Sequence, residues 1–514
     1  MNAAFRRRAA ILTALAALST WASAGAAHAD APDARMLLVK HRAFVGWQLG
    51  DGTFRSLRLR AQYADAQGKV SRTVTELRRG LIYRATTTFA GTAGASQDEG
   101  FTGGVFWNSN VNGFTTPAYG EPAKFRFSYD LLANEGTSSL DAIARGESTI
   151  DGTRCETLRL DVPNADPIDV DVDPATGAYL RAVVDPGGAY ETVVRILSYD
   201  EVLPGKRLAA ALRFDDSNES YRYTKVEPNV AVADDELHPP PARATWAFAQ
   251  PQPFAVNVTA TRVLVDASVN GLKGRFILDT GANGIFLNEH FADAAKVTKL
   301  GAAGAAVGLY GGRSADVRRA ETITIGGNTL SDVIVEAEDF NSNDYFGLDR
   351  RNYDGLLGYD LFAGAIVRLD FRAAAMSLAD PAEPPAETPP LSVAVDTSLG
   401  VPMVPMTLDR SIGVRAMLDT GDPSGVVFGP DILYRYHLRM ARNIGVGLQY
   451  GSVECGNLDS LELGPITYSG ELACKLDSPL VAGKNILVGL DFLRNFELLF
   501  DYPHGRISFD AHHR

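Results

Sequence analysis

The chain has 514 residues, 46% hydrophobic and 22% charged, with 49 Gly and 26 Pro, a composition that supports packed cores and excludes disorder, collagen and coiled coil. Lys and Arg number 49 against 62 Asp and Glu, a formal charge of −13, so the basic footprint that nucleic acid or an anionic membrane surface requires is missing. At roughly 100–200 residues per domain, two to four domains are expected.

The chain opens with Arg6-Arg7-Arg8, a mostly apolar run from Ala9 to Leu18, and Ala27-His28-Ala29. Positive region, apolar region and small-x-small site together predict an export signal over residues 1–29, with the mature chain starting near Asp30. The apolar run is too short to span a bilayer, and no later stretch reaches the roughly 18 apolar residues a membrane helix needs. A periplasmic or secreted protein with no transmembrane segment is expected.

Residues 30–237 read as a β-rich accessory domain. Ile168-Asp169-Val170-Asp171-Val172 alternates strictly, Asp173-Pro174-Ala175-Thr176-Gly177 is a turn, and a strand resumes from Ala178 to Val184. Further short strands are predicted over 56–63, 157–162, 192–197 and 220–226, with one helix over Phe125–Ala133. Nothing in this section gathers catalytic residue types. Its strand rhythm and the pair Asp151-Gly152-Thr153-Arg154-Cys155 and Asp173–Gly177 resemble the half-barrel domains of the periplasmic lipoprotein-carrier (LolA-like) group. Leu237-His238-Pro239-Pro240-Pro241 closes the section and opens a linker over 238–254.

Residues 255–514 contain a duplication. Phe276-Ile277-Leu278-Asp279-Thr280-Gly281 matches Ala416-Met417-Leu418-Asp419-Thr420-Gly421. Val307-Gly308-Leu309-Tyr310-Gly311-Gly312 matches Val446-Gly447-Leu448-Gln449-Tyr450-Gly451, Leu356-Leu357-Gly358 matches Leu487-Val488-Gly489, and Leu369-Asp370-Phe371 matches Phe500-Asp501-Tyr502. From the first Asp to the second-block Gly is 29 residues in one copy and 28 in the other; from the third-block Gly to the last Asp it is 12 in both. The middle interval differs, 50 against 42, with the excess in the polar loop Glu338–Tyr353. Four ordered blocks at matching spacings mark an internal repeat. The copies span 255–380 and 391–514, joined by the Pro-rich, stiff linker 381–390.

An apolar strand ending in Asp-Thr-Gly delivers a carboxylate from a rigid core into a sharp turn. Gly281 and Gly421 lack a Cβ and admit close approach of the opposite lobe, while Thr280 and Thr420 can hydrogen-bond backbone across the junction. Two lobes related by a pseudo-twofold axis then set Asp279 beside Asp419. Carboxylates that close cannot both ionise, so they share a proton. The ionised member takes a proton from water while the protonated one donates to the carbonyl under attack. Neither metal nor cofactor enters, and the scattered histidines, with no His-x-x-x-His and no Cys-x-x-Cys, predict no zinc site.

These motifs resemble the pepsin/retropepsin superfamily of aspartic peptidases, and in particular its bacterial exported retropepsin-like kind. The resemblance carries Asp279-Thr280-Gly281-Ala282 and the two hydrophobic-hydrophobic-Gly elements ending at Gly358 and Gly489, which in that fold brace the active-site loops. It implies an all-β, two-lobed barrel pair that cleaves polypeptide and is active as a monomer, with Asp279 and Asp419 catalytic. It also implies glycine-rich hairpins near Tyr310-Gly311-Gly312 and Tyr450-Gly451 as candidate flaps. Asp422 follows the second motif where the family has Ala, Ser or Thr. It is a candidate modulator of the pair's pKa if it points inward, and a turn cap if it faces solvent. Asp360, Asp491, Asp370 and Asp501 are placed symmetrically and read as scaffold acids. Short helices are expected over Asn288–Ala295 and Asp431–Met440, with His290 and His437 at the surface. Cys455 and Cys474 fall in one lobe and are the expected disulfide, leaving Cys155 over. The alternative function is a non-catalytic peptide- or lipoprotein-binding envelope protein on the same fold; loss of one Asp or Gly would favour it, and both triplets are intact.

Overall fold

The computed structural model describes residues 33–90, 96–215, 219–249, 252–308, 311–339, 353–435, 438, 444–448 and 451–511. The segment read as an export signal, Tyr310, Tyr450, His437, Met440 and most of the loop Glu338–Tyr353 lie outside those residues.

Up to Leu237 the chain builds one antiparallel sheet of thirteen strands. Six strands, from Leu57–Ala64 to Thr115–Ala118, run out in sequence order, seven from Asp141–Ile150 to Ser220–Pro228 run back, and the two series join where Leu57–Ala64 pairs with Ser220–Pro228. The alternation in Ile168–Val172 sorts its side chains by face: Ile168, Val170 and Val172 are fully buried, while Asp169 pairs with Arg159 on the other face. Two helices pack on the sheet. Ala34–Val45, not among the expected elements, is amphipathic, its buried residues recurring at helical spacing. Asp33 caps it by accepting from the Arg35 N–H, Leu37, Leu38, His41 and Val45 are buried, and Gly46 ends it at φ 80°. The second helix, Gly120–Ala133, starts five residues before the expected Phe125. Pro122 lies in its first turn, where backbone N–H groups have no helical partner to lose.

The stretch 238–254, read as a linker, is stitched into the first repeat. Thr245–Ala247 pairs with Asn328–Glu338, and Phe254–Ala255 with Ala375–Ala379. In this repeat six strands close a ring: Val263–Val269, Leu272–Leu278, Gly355–Leu357, Phe286–Asn288, Asn328–Glu338 and Gly311–Ile325. The ring closes because Gly311–Ile325, at 15 residues, is long enough to reach neighbours on both sides. The second repeat keeps the same pairings but splits the two closing strands, Gly451–Asn457 from Leu461–Leu463 and Ile466–Tyr468 from Leu472–Lys475, so its nine-stranded sheet is interrupted there.

A six-stranded sheet joins the repeats, in the order Phe254–Ala255, Ala375–Ala379, Ile366–Asp370, Phe496–Asp501, Arg506–Ala511, Leu391–Ala394. At its centre Val367 faces Phe500 and Leu369 faces Leu498. Replacing each residue by its counterpart 131 positions away exchanges these two pairs, which is the signature of a local twofold axis. One apolar core runs through both repeats, including Leu278, Leu357, Leu418, Val488, Phe500 and Tyr502. Fully burying a side chain of Leu or Phe size contributes roughly 1.5–3 kcal/mol, so the repeats hold each other by their shared interior.

Candidate active site

Each Asp-Thr-Gly turn is anchored by the hydrophobic-hydrophobic-Gly element of its own repeat. Leu272–Leu278 enters the first turn parallel to Gly355–Leu357, Phe286–Asn288 leaves it antiparallel to the same strand, and the Asp279 N–H donates to the Leu357 carbonyl at 3.0 Å. The second turn is framed alike by Asn485–Gly489, with Leu418 beside Val488 and Val427 opposite Leu487. The glycine ending each brace has a steric reason. A Cβ on Gly358 would lie 2.3 Å from the Gly284 carbonyl oxygen and 2.4 Å from that of Ala282, and one on Gly489 would lie 2.4 Å from that of Ser424.

The two turns meet through their threonines. The Thr280 N–H donates to Thr420 Oγ1 at 3.1 Å and the Thr420 N–H to Thr280 Oγ1 at 2.9 Å. Thr280 Oγ1 then donates to the Leu418 carbonyl at 2.6 Å, and Thr420 Oγ1 to that of Leu278 at 2.8 Å. Every bond maps onto its partner when each residue is moved 140 positions. Both threonines are buried, so each hydroxyl satisfies backbone groups that water does not reach.

That clasp brings Asp279 and Asp419 together. A Cβ on Gly281 would fall 2.4 Å from Asp419 Cγ and one on Gly421 2.3 Å from Asp279 Cγ, so each glycine makes room for the opposite carboxyl. Asp279 and Asp419 are 9% and 7% exposed, each with its carboxyl against the glycine of the opposite turn. Burial, then the facing Asp279 carboxyl, then Asp422 push Asp419 well above the usual carboxylate range; the Gly421 N–H, donating to Asp419 Oδ1 at 2.8 Å, pulls the other way. Two carboxyl groups this close in a buried site cannot both ionise, so the pair shares a proton.

Asp422 combines the two roles left open by sequence. It caps its turn, its Oδ1 accepting from the Ser424 N–H at 2.7 Å and from the Ser424 hydroxyl, yet it is buried rather than solvent-facing. The chain after it returns to the brace, Leu490 N–H donating to the Asp422 carbonyl at 2.7 Å, and this inward path carries the side chain out of water. Burial raises its pKa against the pull of Ser424 and Arg262.

Asp360 and Asp491, both read as scaffold acids, sit in unlike surroundings. Asp491 is exposed, whereas Asp360 is buried. Its Oδ2 accepts from the Ile285 N–H at 3.0 Å, inside the first turn, and its Oδ1 from Asn110 Nδ2 at 2.6 Å and Asn112 Nδ2 at 2.7 Å. Burial pushes Asp360 up to about 6 in spite of those three bonds. No sequence cue points to Asn110 or Asn112, which are separated from Asp360 by about 250 residues and belong to no motif.

Of the candidate flap residues, Gly311 pairs with Gly308, Gly312 with Val307, and Gly451 with Leu448, so each lies beside the turn of an antiparallel hairpin; Tyr310 and Tyr450 lie outside the described residues. Cys455 and Cys474 sit opposite each other on paired strands and are joined by a disulfide, and Cys155 is free and buried. Helices Glu289–Ala294 and Pro430–Tyr434 follow the two turns, and His290 is exposed.

Residues 265–361 match the family model described as aspartyl protease, a span from the first strand of the first repeat through its bracing glycine. The Asp419 motif lies outside that span. No curated protein matches the chain. The N-terminal region is like two solved structures, each covering 40% of this chain and 95% of its own, at a TM-score of 0.30. One is a DUF1329 family protein from Desulfovibrio piger, 15% identical; the other is described as an outer membrane lipoprotein-sorting protein domain from Vibrio parahaemolyticus, 12% identical.

Proposed function

We propose that the chain is an exported aspartic endopeptidase with a pepsin/retropepsin-like pair of lobes, hydrolysing peptide bonds by a water activated between Asp279 and Asp419. The observation that carries this reading is the reciprocal threonine clasp, which brings two buried carboxyl groups to face each other across the two turns. The ionised member of the pair takes the proton from the attacking water, the member holding the shared proton donates to the peptide carbonyl as charge develops there, and the two exchange roles when the tetrahedral intermediate breaks down. Thr280, Gly281, Thr420 and Gly421 hold the turns, Gly358 and Gly489 let the braces close on them, and the two glycine hairpins serve as flaps over an extended polypeptide. One chain supplies both aspartates, so the monomer is active.

Export is part of the same proposal. It is supported by the Arg6–Ala29 pattern and by a disulfide, which persists in oxidising compartments. The test is purified mature protein incubated with a mixed peptide library between acidic and neutral pH, beside Asp279→Asn and with a statine-type inhibitor. Endoproteolysis abolished by both is expected. Cleavage that survives Asp279→Asn, or tight peptide binding with no cleavage at any pH, overturns the reading.

A further inference from the structure

The hairpin tip Asn110–Phe114 of the thirteen-stranded sheet reaches into the first repeat just behind the Asp279 turn. Its own geometry is fixed first. Asn110 Oδ1 accepts from the Asn112 N–H at 3.1 Å and the Phe114 N–H at 3.0 Å, and the Gly113 N–H donates to the Asn110 carbonyl at 2.9 Å. Gly113 has φ 78°, and a Cβ there would lie 2.7 Å from Ala242 Cα. With Asn110 Oδ1 used inside the tip, its Nδ2 is left to Asp360.

Asn112, fully buried, behaves like one more strand residue. Its Oδ1 accepts from the Ile334 N–H at 2.7 Å and its Nδ2 donates to the Ile334 carbonyl at 3.0 Å and to Asp360 Oδ1 at 2.7 Å. Further along the chain, Thr116 Oγ1 hydrogen-bonds the Tyr359 hydroxyl at 3.0 Å and Thr397 Oγ1 at 2.7 Å, touching the brace of one repeat and the other repeat at once. Asp360 passes this on. Its remaining oxygen holds the Ile285 N–H, and a Cβ on Gly284 would lie 3.3 Å from it. The second turn differs: Gly489 N–H bonds the Gly425 carbonyl at 2.7 Å and Asp491 N–H the Ser424 carbonyl at 3.1 Å, the Asp491 side chain is exposed, and the N-terminal domain meets this repeat at Lys484, before its brace, where Lys484 Nζ donates to the Gly188 carbonyl at 2.7 Å.

From this asymmetry we infer that the N-terminal domain is a working part of the catalytic centre: Asn110 and Asn112 fix Asp360, and Asp360 fixes the Asp279 turn. The three are positioning residues. The inference rests on the peptidase reading for its kinetic consequence and on the hydrogen-bond chain alone for its structural one.

The test uses the full chain. Asn112→Ala and Asp360→Asn should each lower kcat by about 10–100-fold with KM within about threefold, since a displaced turn misaligns the reacting groups without altering the cleft walls. Because both act through one link, the double variant should be no worse than the more severe single one. Amide exchange over 281–287 should quicken in Asn112→Ala, while Asp491→Asn, the exposed counterpart, should match wild type in both rate and exchange. Multiplying kcat losses, or unchanged exchange over 281–287 in a folded Asn112→Ala, overturns the inference. If wild type cleaves no peptide the peptidase reading falls, and the exchange measurement still decides whether the N-terminal domain holds the turn.

Discussion

The threonine clasp makes the sharpest prediction. Thr420→Val keeps the side chain's volume and deletes its hydroxyl. That hydroxyl donates to the Leu278 carbonyl at 2.8 Å and accepts from the Thr280 N–H at 3.1 Å, and both threonines are at most 1% exposed. The variant therefore leaves a backbone donor and a backbone acceptor without partners where water does not replace them. An orphaned buried polar group costs about 1–3 kcal/mol, so the pair should cost about 3 kcal/mol after local relaxation. Thr420→Ser keeps the oxygen and gives up one methyl group, worth about 1 kcal/mol. Urea unfolding of wild type and both variants under one buffer gives the comparison directly. In parallel, kcat on a peptide substrate should fall about 100-fold for Val and only a few-fold for Ser, because a turn shifted by about 1 Å loses alignment of the reacting groups. A Val variant as stable as the Ser variant would mean the clasp is not what holds the two turns together.

The protonation of the dyad should be visible in stability. Asp419 is raised in the folded protein, so its contribution is complete below the ordinary carboxylate range and is lost as pH rises through its folded value; Asp419→Asn should accordingly gain on wild type in unfolding free energy from pH 4 to pH 8, and a flat difference would contradict the assignment. Asp422 raises Asp419, so Asp422→Ala should move the alkaline limb of kcat/KM to lower pH; an unchanged profile would remove Asp422 from the chemistry. The Cys455–Cys474 bond closes a loop with a sequence separation of 19, and replacing both cysteines by Ala should cost about 3 kcal/mol in a urea titration, with a value near zero refuting the chain-entropy account.

Much of this was written in the sequence. Strict alternation at Ile168–Val172 and the turn at Asp173–Gly177 specify strands and their faces, because period two and a left-handed glycine act over a few residues. The duplication specified more: four blocks at matching intervals identify which strand, turn, brace and final strand correspond in the two copies, and the threonine bonds and the central sheet register obey that correspondence. Helix Ala34–Val45 is not among the expected elements, although its buried residues Ala34, Leu37, Leu38, His41 and Val45 recur at helical spacing; docking completes it, with Gly177 close against Lys40 and His41 stacked on Tyr179. The break in the second repeat's strands and the inward turn of Asp422 were not legible.

The amino-acid order alone therefore determined which carboxylates would be paired, because duplicated local motifs carry that information within each copy. The sequence also showed the copies to differ in length, but only the tertiary structure decided that their two matching acids meet different surroundings. Asp360 and Asp491 occupy matching places in sequence, and what separates them is a hairpin tip from another domain, delivered to one and not the other by contacts spanning about 250 residues. A hydrogen bond depends on distance and direction in space, and no local pattern encodes which distant donor will arrive.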